Sequence, residues 1–317
     1  MRRRWRNFTD PGRADGTPAP VSEAPVSEAP EFRVPLFLMR PSRYPALKWQ
    51  FRTPSLAAPV SQLCTASQFA EPAYAAWCDV IKEPPRHHRK QWEFCWILAS
   101  MAHAKVLRPG KRVLGFGVGR EPLPSAFALR GMHVMATDAP PDLVGSDAWA
   151  TTSQYAEGLM ALHHPRIVDE ATFRARVEFR HVDMNAIPSD LRGYDACWSS
   201  CSLEHLGSIE AGLTFIEASL ETLAPGGRAF HTTEFNLGSD EDTLNEPALA
   251  FFRRRDIEEL MDRLAAKGHH VWAFNTHPGH EPLDAYVDAP PYADPHLKLM
   301  ALNHVVTSVG IAVRRAG

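Results

Sequence analysis

Three patterns that would point to a particular compartment or partner are missing from this 317-residue sequence. Its five cysteines include no pair with zinc-finger or redox C-x-x-C spacing, which favours free thiols in a reducing cytoplasm. No apolar run approaches the roughly 18 residues of a membrane-spanning helix, and no signal-peptide-like apolar stretch follows the first arginines. A formal net charge of -3 gives no general attraction to nucleic acid or anionic membranes. We expect a cytoplasmic protein with no membrane or nucleic-acid partner, and no pattern fixes its oligomeric state.

Proline is concentrated near the start of the chain and suggests how the chain is divided. Ten of the 27 prolines fall within the first 60 residues, where they oppose regular secondary structure. We predict a Pro-rich, largely disordered arm over residues 1–50, in which roughly the first 30 residues are disordered. A helical cap is predicted over residues 51–108. With 44% hydrophobic residues the chain can bury one large core, and we assign it to an α/β domain over residues 109–317.

Two helices are predicted in the cap. Apolar residues have helical spacing from Ser67 to Ile81 and, more strongly, from Arg89 to Leu107, where Pro109 and Gly110 end the pattern. The second helix starts with the polar run His87-His88-Arg89-Lys90. We expect this run to be solvated, and contact with an anionic substrate is the alternative.

The stretch from Lys111 to Asp138 has the pattern of a nucleotide-binding βαβ unit. A buried strand ends at Phe116, glycines stand at 115, 117 and 119, a helix starts near Pro122, and a second strand ends at Asp138. Glycines allow the backbone to approach a ligand closely. A carboxylate at the end of the second strand can accept hydrogen bonds from the two hydroxyls of a ribose.

Strands and helices alternate along the rest of the chain. Further strands are predicted at Val177–Val182, Tyr194–Ser200, Arg228–Phe235, Val271–Phe274 and Val305–Val313, and further helices at Ile209–Leu223 and Arg253–Ala266. The last strand is most simply placed antiparallel beside its neighbour. We therefore predict an α/β fold with a doubly wound, seven-stranded, mostly parallel sheet and a helical N-terminal cap.

Four short motifs occur in a fixed order along this predicted domain. They are the Gly117-x-Gly119 turn, Asp138 after the second strand, Asp183-Met184 after the third strand, and Leu223-Ala224-Pro225-Gly226-Gly227 before the fifth strand. Together they resemble the class I S-adenosylmethionine-dependent methyltransferases, over about residues 89–315. The stretches RKQWEFC, SSCSLEHLGS and HTTEFNL resemble bacterial members associated with polysaccharide or other small-molecule biosynthesis.

The resemblance implies S-adenosyl-L-methionine as the cofactor. Asp138 would hold the ribose hydroxyls, because a carboxylate accepts from both at once. Asp183 would accept from the adenine amino group, and the backbone N–H of Met184 would donate to a ring nitrogen. The implied cofactor-binding residues are Gly115, Gly117, Gly119, Glu121, Asp138, Asp183, Met184, Ser199 and Ser200.

Two positions depart from the family pattern. Most members have Asp or Glu where this chain has Gly115, and Gly where it has Glu121. We hypothesise that Glu121 supplies the missing carboxylate near the ammonium group of the cofactor. The alternative is that Glu121 caps the helix that starts near Pro122, where a negative charge is favourable.

Candidate catalytic residues follow the fourth and fifth strands. Ligands of open α/β sheets bind outside the carboxyl ends of the strands, which places Glu204, His205, Glu234 and Asn236 near a methyl acceptor. A histidine has a suitable pKa for a general base, although one at a helix start can instead bond a backbone group. We predict His205, Glu234 and Glu204 as catalytic, and His231, which lies earlier in its strand, as a core residue.

The long loop over residues 275–298 is predicted to cover the acceptor pocket, since loops of this length are usually functional or disordered. A divalent metal site is the alternative. Its candidate ligands are His277, His280, Asp284, Asp288 and His296. Their spacing matches no metal motif, and we predict no metal.

The leading interpretation is an enzyme that transfers a methyl group from S-adenosylmethionine to an oxygen, or less readily a nitrogen, of a small-molecule or sugar acceptor. An NAD(P)-dependent oxidoreductase is one alternative, but the glycine turn lacks the G-x-G-x-x-G spacing. A non-catalytic binding protein with the same fold is the other. Gly115 and Glu121 keep that alternative open.

Overall fold

The computed structural model describes residues 31–141, 143 and 155–317. The disorder predicted for the first 30 residues lies outside this range. The strands are β1 (Trp49–Gln50), β2 (Ser61–Leu63), β3 (Arg112–Phe116), β4 (His133–Asp138), β5 (Val177–His181), β6 (Tyr194–Ser200), β7 (Leu223–Asn236), β8 (Asn245–Glu246), β9 (Leu249–Ala250), β10 (His270–Val271), β11 (Phe274–Asn275), β12 (Leu299–Ala301) and β13 (His304–Arg314). The helices are α1 (Leu36–Met39), α2 (Ala66–Phe69), α3 (Pro72–Ile81), α4 (Arg89–His103), α5 (Leu123–Leu129), α6 (Glu170–Arg176), α7 (Ile209–Leu220), α8 (Arg254–Ala266) and α9 (Pro282–Ala285). Among the residues described, no helix is long and apolar enough to span a membrane.

One sheet organises the molecule, with its strands in the order β1-β11-β2-β13-β7-β6-β3-β4-β5. The five strands from β7 to β5 are parallel to one another. Strand β13 runs antiparallel to both of its neighbours, β7 and β2, and the short strands β10 and β12 also pair with it. The predicted mostly parallel α/β sheet with an antiparallel last strand is therefore confirmed, but it has eleven strands among the described residues where seven were predicted, because short strands are added around β13.

Helices cover both faces of this sheet. On one face α3, α4, α5 and α6 pack on side chains that include Trp198 and Phe230. On the other face α7 and α8 pack on Leu114, Phe116 and Cys197. Because both faces are covered, β3 and β6 are buried along almost their whole length instead of alternating between buried and exposed residues.

Helix α4 connects the predicted cap to the sheet. Every residue from Gln91 to Met101 is buried, as in a helix that has neighbours on all sides. Its start is capped by His88, whose Nδ1 accepts a hydrogen bond from the Lys90 backbone N–H at 3.1 Å. The first turn of α4 reaches the carboxyl ends of β6 and β7, where Lys90 contacts Ser200 and Arg89 contacts Glu234.

Three elements differ from the sequence predictions. Strand β2 lies between β13 and β11, in a region where only helices were predicted, because three residues are too few to show a period in the sequence. The predicted strand Val271–Phe274 is split into β10, which pairs with β13, and β11, which pairs with β2 and β1. The predicted helix Ser67–Ile81 is also split, because Pro72 starts a new helix.

Candidate functional site

The carboxyl ends of the parallel strands bring the predicted site residues to one edge of the sheet. Asp138 ends β4, the glycine turn follows β3, and Ser200 ends β6. Glu234 lies near the end of β7, and Asp183 follows β5 by two residues. This edge is where open α/β sheets bind their ligands.

The glycine turn after β3 is shaped by conformation and by space. Gly117 and Gly119 have φ angles of +56° and +52°, in the left-handed region that favours glycine. A Cβ added to Gly117 would lie 2.8 Å from the Cβ of Ser202 and 3.2 Å from the Sδ of Met184. Met184 and Ser202 therefore form the wall opposite the turn. The buried hydroxyl of Ser202, which the sequence did not single out, has no hydrogen-bond partner within the described chain.

Trp198 links the two positions that depart from the family pattern. It lies beside Gly115 on the neighbouring strand, and a Cβ added to Gly115 would lie 2.3 Å from its ring atom Cζ2. The ring nitrogen Nε1 donates a hydrogen bond to Oε1 of Glu121 over 2.5 Å. Burial raises the pKa of Glu121 to about 8, against the opposing effects of Lys90 and the indole. The N-cap residue of α5, Pro122, makes no side-chain cap hydrogen bond, and both roles considered for Glu121 stay predictions.

Asp138 is held by backbone donors. Its Oδ1 accepts from the N–H of Ala139 at 2.9 Å, and its Oδ2 accepts from the N–H of Ala156 at 3.0 Å. Burial raises the pKa of Asp138, and these backbone donors oppose the rise. A carboxylate has about four acceptor positions, so hydroxyl donors can still bind to Asp138 beside these amides.

The Asp183-Met184 pair follows β5 as predicted. The Oδ1 of Asp183 accepts from the backbone N–H of Asn185 at 2.8 Å, which fixes the turn. Asp183 is partly exposed, whereas Met184 is buried with its sulfur near Gly117. The pair therefore offers a carboxylate and a backbone amide beside the glycine turn, as recognition of an adenine edge requires.

The first turn of α4 places charged side chains among the strand ends. Arg89 Nη2 lies 2.5 Å from Oε1 of Glu234, and Lys90 Nζ donates to the backbone oxygen of Ser200 at 2.7 Å. Glu93 is fully buried, and Lys90 and Arg89 lower its pKa although burial opposes ionisation. The expectation of a solvated helix start is wrong for Arg89, because its side chain is only 15% exposed.

Glu204 and Glu234 are buried carboxylates with raised pKa values. Oε2 of Glu204 accepts from the Thr233 hydroxyl at 3.0 Å, whereas Oε2 of Glu234 has no hydrogen-bond partner in the described residues. Burial raises the pKa of each carboxylate to about 7. Lys90 lowers the pKa of Glu204 and Arg89 lowers the pKa of Glu234, but both effects are smaller than that of burial. This pair can take up or release a proton near neutral pH.

Three side chains bring potential metal-ligand atoms close together. The thiol of Cys201 and the carboxylates of Glu204 and Glu234 place one atom each within 4.8 Å of the others. Arg89 already supplies a positive charge to this group, so we assign no metal to it. Within the described part of the chain, the histidines and aspartates of the 275–298 loop form no such group.

His205 is tied to a backbone group. Its Nδ1 lies 2.8 Å from the carbonyl oxygen of Ala248, which assigns the proton to Nδ1. Burial lowers the pKa of His205, and its Nε2 lies 4.0 Å from Oε1 of Glu204. The imidazole is therefore neutral and adjacent to one of the two carboxylates.

The hydroxyls of Ser199 and Ser200 lie on opposite faces of the sheet, and only that of Ser200 faces α4. The Ser199 hydroxyl lies 2.8 Å from Nδ1 of His231, whose Nε2 lies 3.1 Å from the hydroxyl of Ser219 on α7. His231 is fully buried, and burial lowers its pKa to about 3. Only the backbone of Ser199 is left for a cofactor contact. Asn236 uses its side chain to bind the backbone of the loop that follows β7.

The 275–298 loop is ordered by two buried polar pairs. Lys298 lies 3.3 Å from Oδ1 of Asp284 and donates to a loop carbonyl at 2.8 Å. Nδ1 of His296 lies 2.5 Å from Oδ2 of Asp288. The backbone oxygen of His296 accepts from the N–H of Arg89 at 2.9 Å, so the loop is joined to the first turn of α4.

Comparisons with known proteins find similarity only in structure. No protein-family model matches the chain, and no curated protein matches it. The 1,6-didemethyltoxoflavin-N1-methyltransferase of Burkholderia thailandensis is 18% identical, over 69% of this chain and 76% of its own, with a TM-score of 0.38. The magnesium protoporphyrin IX methyltransferase of Synechocystis is 13% identical, over 72% and 83%, with a TM-score of 0.42. The [4+2]-cyclase SpnF is 16% identical, over 82% and 98%, with a TM-score of 0.45.

The order and direction of the strands define the fold. The parallel order β5-β4-β3-β6-β7 is extended by the antiparallel strand β13 beside β7, and the glycine turn follows the central strand β3. This is the doubly wound, Rossmann-like arrangement that the sequence predicted.

Proposed function

We propose that this protein transfers a methyl group from S-adenosylmethionine to an oxygen of a small-molecule or sugar acceptor. The observation that carries the proposal is the proximity of two sets of residues at one sheet edge. One set, around Asp138 and the glycine turn, suits an adenosyl group, and the other contains the buried carboxylates Glu204 and Glu234. A proton acceptor beside a methyl donor is what an oxygen acceptor requires.

In this proposal the cofactor is held by residues of three strand ends. Asp138 binds the ribose hydroxyls, and Asp183 and the Met184 amide bind the adenine. The glycine turn at 115–119 lets the backbone approach the methionine portion. Glu121 binds the ammonium group, because a buried carboxylate with a raised pKa gains most from a neighbouring cation.

The chemical step is a displacement in which the acceptor oxygen forms a bond to the methyl carbon while the bond from that carbon to sulfur breaks. Glu204 or Glu234 takes the hydroxyl proton, and S-adenosylhomocysteine leaves with the electron pair of the broken bond. His205 is a further candidate base, because its Nε2 carries no proton while Nδ1 donates to the carbonyl of Ala248. Alignment of acceptor and donor supplies much of the acceleration in such reactions. Oxygen is favoured over nitrogen because two carboxylates with pKa values of about 7 lie in the site.

We also propose that the protein is located in the cytoplasm. All five cysteines are free thiols in the described residues, which suits a reducing compartment.

Calorimetric titration with S-adenosylmethionine, S-adenosylhomocysteine and NAD tests the cofactor. We expect micromolar binding of the first two, lost in Asp138→Asn. Asp262→Asn, which removes a carboxylate on α8 with no hydrogen bond in the described residues, is the matched control. Tight binding of NAD alone would sink the proposal.

Release of S-adenosylhomocysteine in the presence of sugars, phenols and amines then tests the acceptor class. We expect turnover with at least one hydroxyl acceptor. Cofactor binding with no turnover across the panel would favour a non-catalytic binding protein, and turnover with amines alone would favour nitrogen.

A further inference from the structure

A basic groove lies at the opposite edge of the sheet from the proposed active site. Its volume is about 490 Å³, and its basic lining comes from the end of α4, the residues just after it, and the strands β7, β10 and β13. Arg228, which lines it, stands six residues before Glu234 in β7, which corresponds to about 20 Å along a strand. A ligand in this groove cannot share the proposed active site.

Three basic residues form a row across the floor of the groove. Arg228 in β7 is directly opposite Arg314 in β13, and Arg314 is directly opposite His270 in β10. Directly paired residues on adjacent strands project from the same face, so the three side chains lie side by side. Like charges in this arrangement destabilise a sheet. Burial lowers the pKa of Arg228, and the charge of Arg314 lowers it further.

No carboxylate within the described chain compensates this row. Arg228, Arg314 and His270 form no ion pair, and neither do His103 and Lys105, which line the groove from the end of α4. The next residue along the chain shows the contrast. Arg315 points away from this face and lies 3.0 Å from the carboxylate of Glu221. Arg228 and Arg314 thus lack the carboxylate partner that Arg315 has.

The dimensions of the groove indicate the size of the anion that fits it. Neighbouring strands lie about 4.8 Å apart, so the row across β7, β13 and β10 spans roughly 10 Å, which is longer than a single phosphate. A volume of 490 Å³ is within the range of small-molecule sites. Trp272, which is partly exposed, also lines the groove and offers an aromatic face to a ligand.

We propose that this groove binds a small molecule that carries a diphosphate or a longer phosphate chain, with Arg228 and Arg314 as its main ligands. Arginine recognises phosphate oxygens with paired N–H donors, and two arginines side by side match two linked phosphates. His270, Lys105 and His103 surround the anion, and Trp272 flanks whatever group the phosphates carry.

Calorimetric titration of the full chain with inorganic pyrophosphate, at low ionic strength, tests the site. We expect binding at one site that weakens about tenfold in Arg228→Gln and further in the double variant with Arg314→Gln. Arg174→Gln is the matched control, since it removes an arginine that is ion-paired on the exposed side of α6. Folding of the variants is checked by unchanged S-adenosylmethionine binding and by thermal melting, where Arg314→Gln should raise the Tm in the absence of anions.

Two further titrations, with sulfate and with ADP, test which anion the groove binds. Equal affinity for pyrophosphate in the wild type and the double variant would overturn it, and so would sulfate binding as tightly as pyrophosphate. ADP separates the sources of the diphosphate. Tighter binding of ADP than of pyrophosphate, lost in Trp272→Ala, would assign the site to nucleotides, and equal binding would support it as a site for the phosphate chain alone.

Discussion

The indole Nε1 of Trp198 donates a hydrogen bond to Oε1 of Glu121 over 2.5 Å, and the same ring fills the space above Gly115. The absence of a side chain at one position and the presence of a carboxylate at the other are thus parts of one arrangement. A carboxylate at position 115 would collide with the ring. The one at position 121 is held by it.

Replacing Gly115 with Ala should destabilise the protein by about 1–3 kcal/mol, because the new methyl group would overlap the ring of Trp198 and also Cγ1 of Val118. Denaturant unfolding measures this loss. Gly158→Ala is the control, since no atom lies within 4 Å of a Cβ there and its φ of 168° is extended backbone. In a Trp198→Phe background the cost at position 115 should fall, because phenylalanine lacks the overlapping ring atoms. An equal cost in both backgrounds would show that the ring is not the cause.

Glu121→Gln should weaken S-adenosylmethionine binding by about tenfold or more if Glu121 binds the ammonium group, since a charge-assisted hydrogen bond is lost. Calorimetry on the purified variant measures the change. Adenosine, which has no ammonium group, serves as the control ligand and should bind both proteins equally. Unchanged affinity for S-adenosylmethionine would assign Glu121 a structural role.

Methyl transfer should accelerate as pH rises through about 7. The carboxylates of Glu204 and Glu234 have pKa values raised to about 7 by burial, so the ionised form that accepts a proton becomes dominant only above that pH. The pH dependence of kcat/KM measures this rise. Glu234→Gln and Glu204→Gln should each lower kcat by roughly 100-fold or more if that residue is the base. A variant that retains activity but loses the pH dependence would identify a residue that only raises the pKa of the neighbouring carboxylate.

His231 should make the protein less stable in acid. Its pKa is lowered by burial to about 3, from an ordinary 6.5, so between these values the unfolded chain binds a proton that the folded chain does not. The stabilisation is complete above pH 6.5 and is lost as pH falls, by about 1.4 kcal/mol per pH unit for this group. Unfolding free energies measured from pH 6.5 to 4.5 should therefore fall less steeply in His231→Gln. An unchanged slope would contradict the buried neutral state.

Lys298→Met should destabilise the protein by roughly 3–5 kcal/mol, because it leaves the carboxylate of Asp284 buried without its cation. Denaturant unfolding measures the loss. The double variant with Asp284→Asn should recover part of it, since the uncompensated charge is then removed. If the single and double variants lost the same amount, packing and not charge would explain the cost.

The first strands of the sheet could be predicted because β3 is a short, largely apolar run followed by a glycine and β4 is one that ends in aspartate. β6 was predicted with its observed limits, and β13 to within one residue at each end, although both carry polar residues among the apolar ones. β2 has only three residues, and its partners β13 and β11 alone define it. No local pattern could have shown that pairing.

The charges around α4 show why the site was predicted only in part. The carboxylates that face Arg89 come from β7 and from α4 itself, so the buried network depends on contacts over more than 100 residues. One signal was present in the sequence. Arg89, Lys90 and Glu93 are the only Asp, Glu, Lys or Arg residues of α4, whose middle is mostly apolar, which favours burial of those charges in a polar site. For Trp198, the signal would have been a glycine at the facing position of the neighbouring strand.

Strand β2 pairs with β13 through Leu63 and Val309, which lie roughly 250 residues apart in the chain. During synthesis on the ribosome, the apolar side chains of Leu56, Leu63 and Phe69 therefore emerge long before the strand that completes their surroundings. These apolar side chains therefore stay exposed to solvent until β13 has been synthesised. We expect nascent chains stopped before β13 to be held by chaperones or to aggregate, and folding to finish only after β13 has left the ribosome.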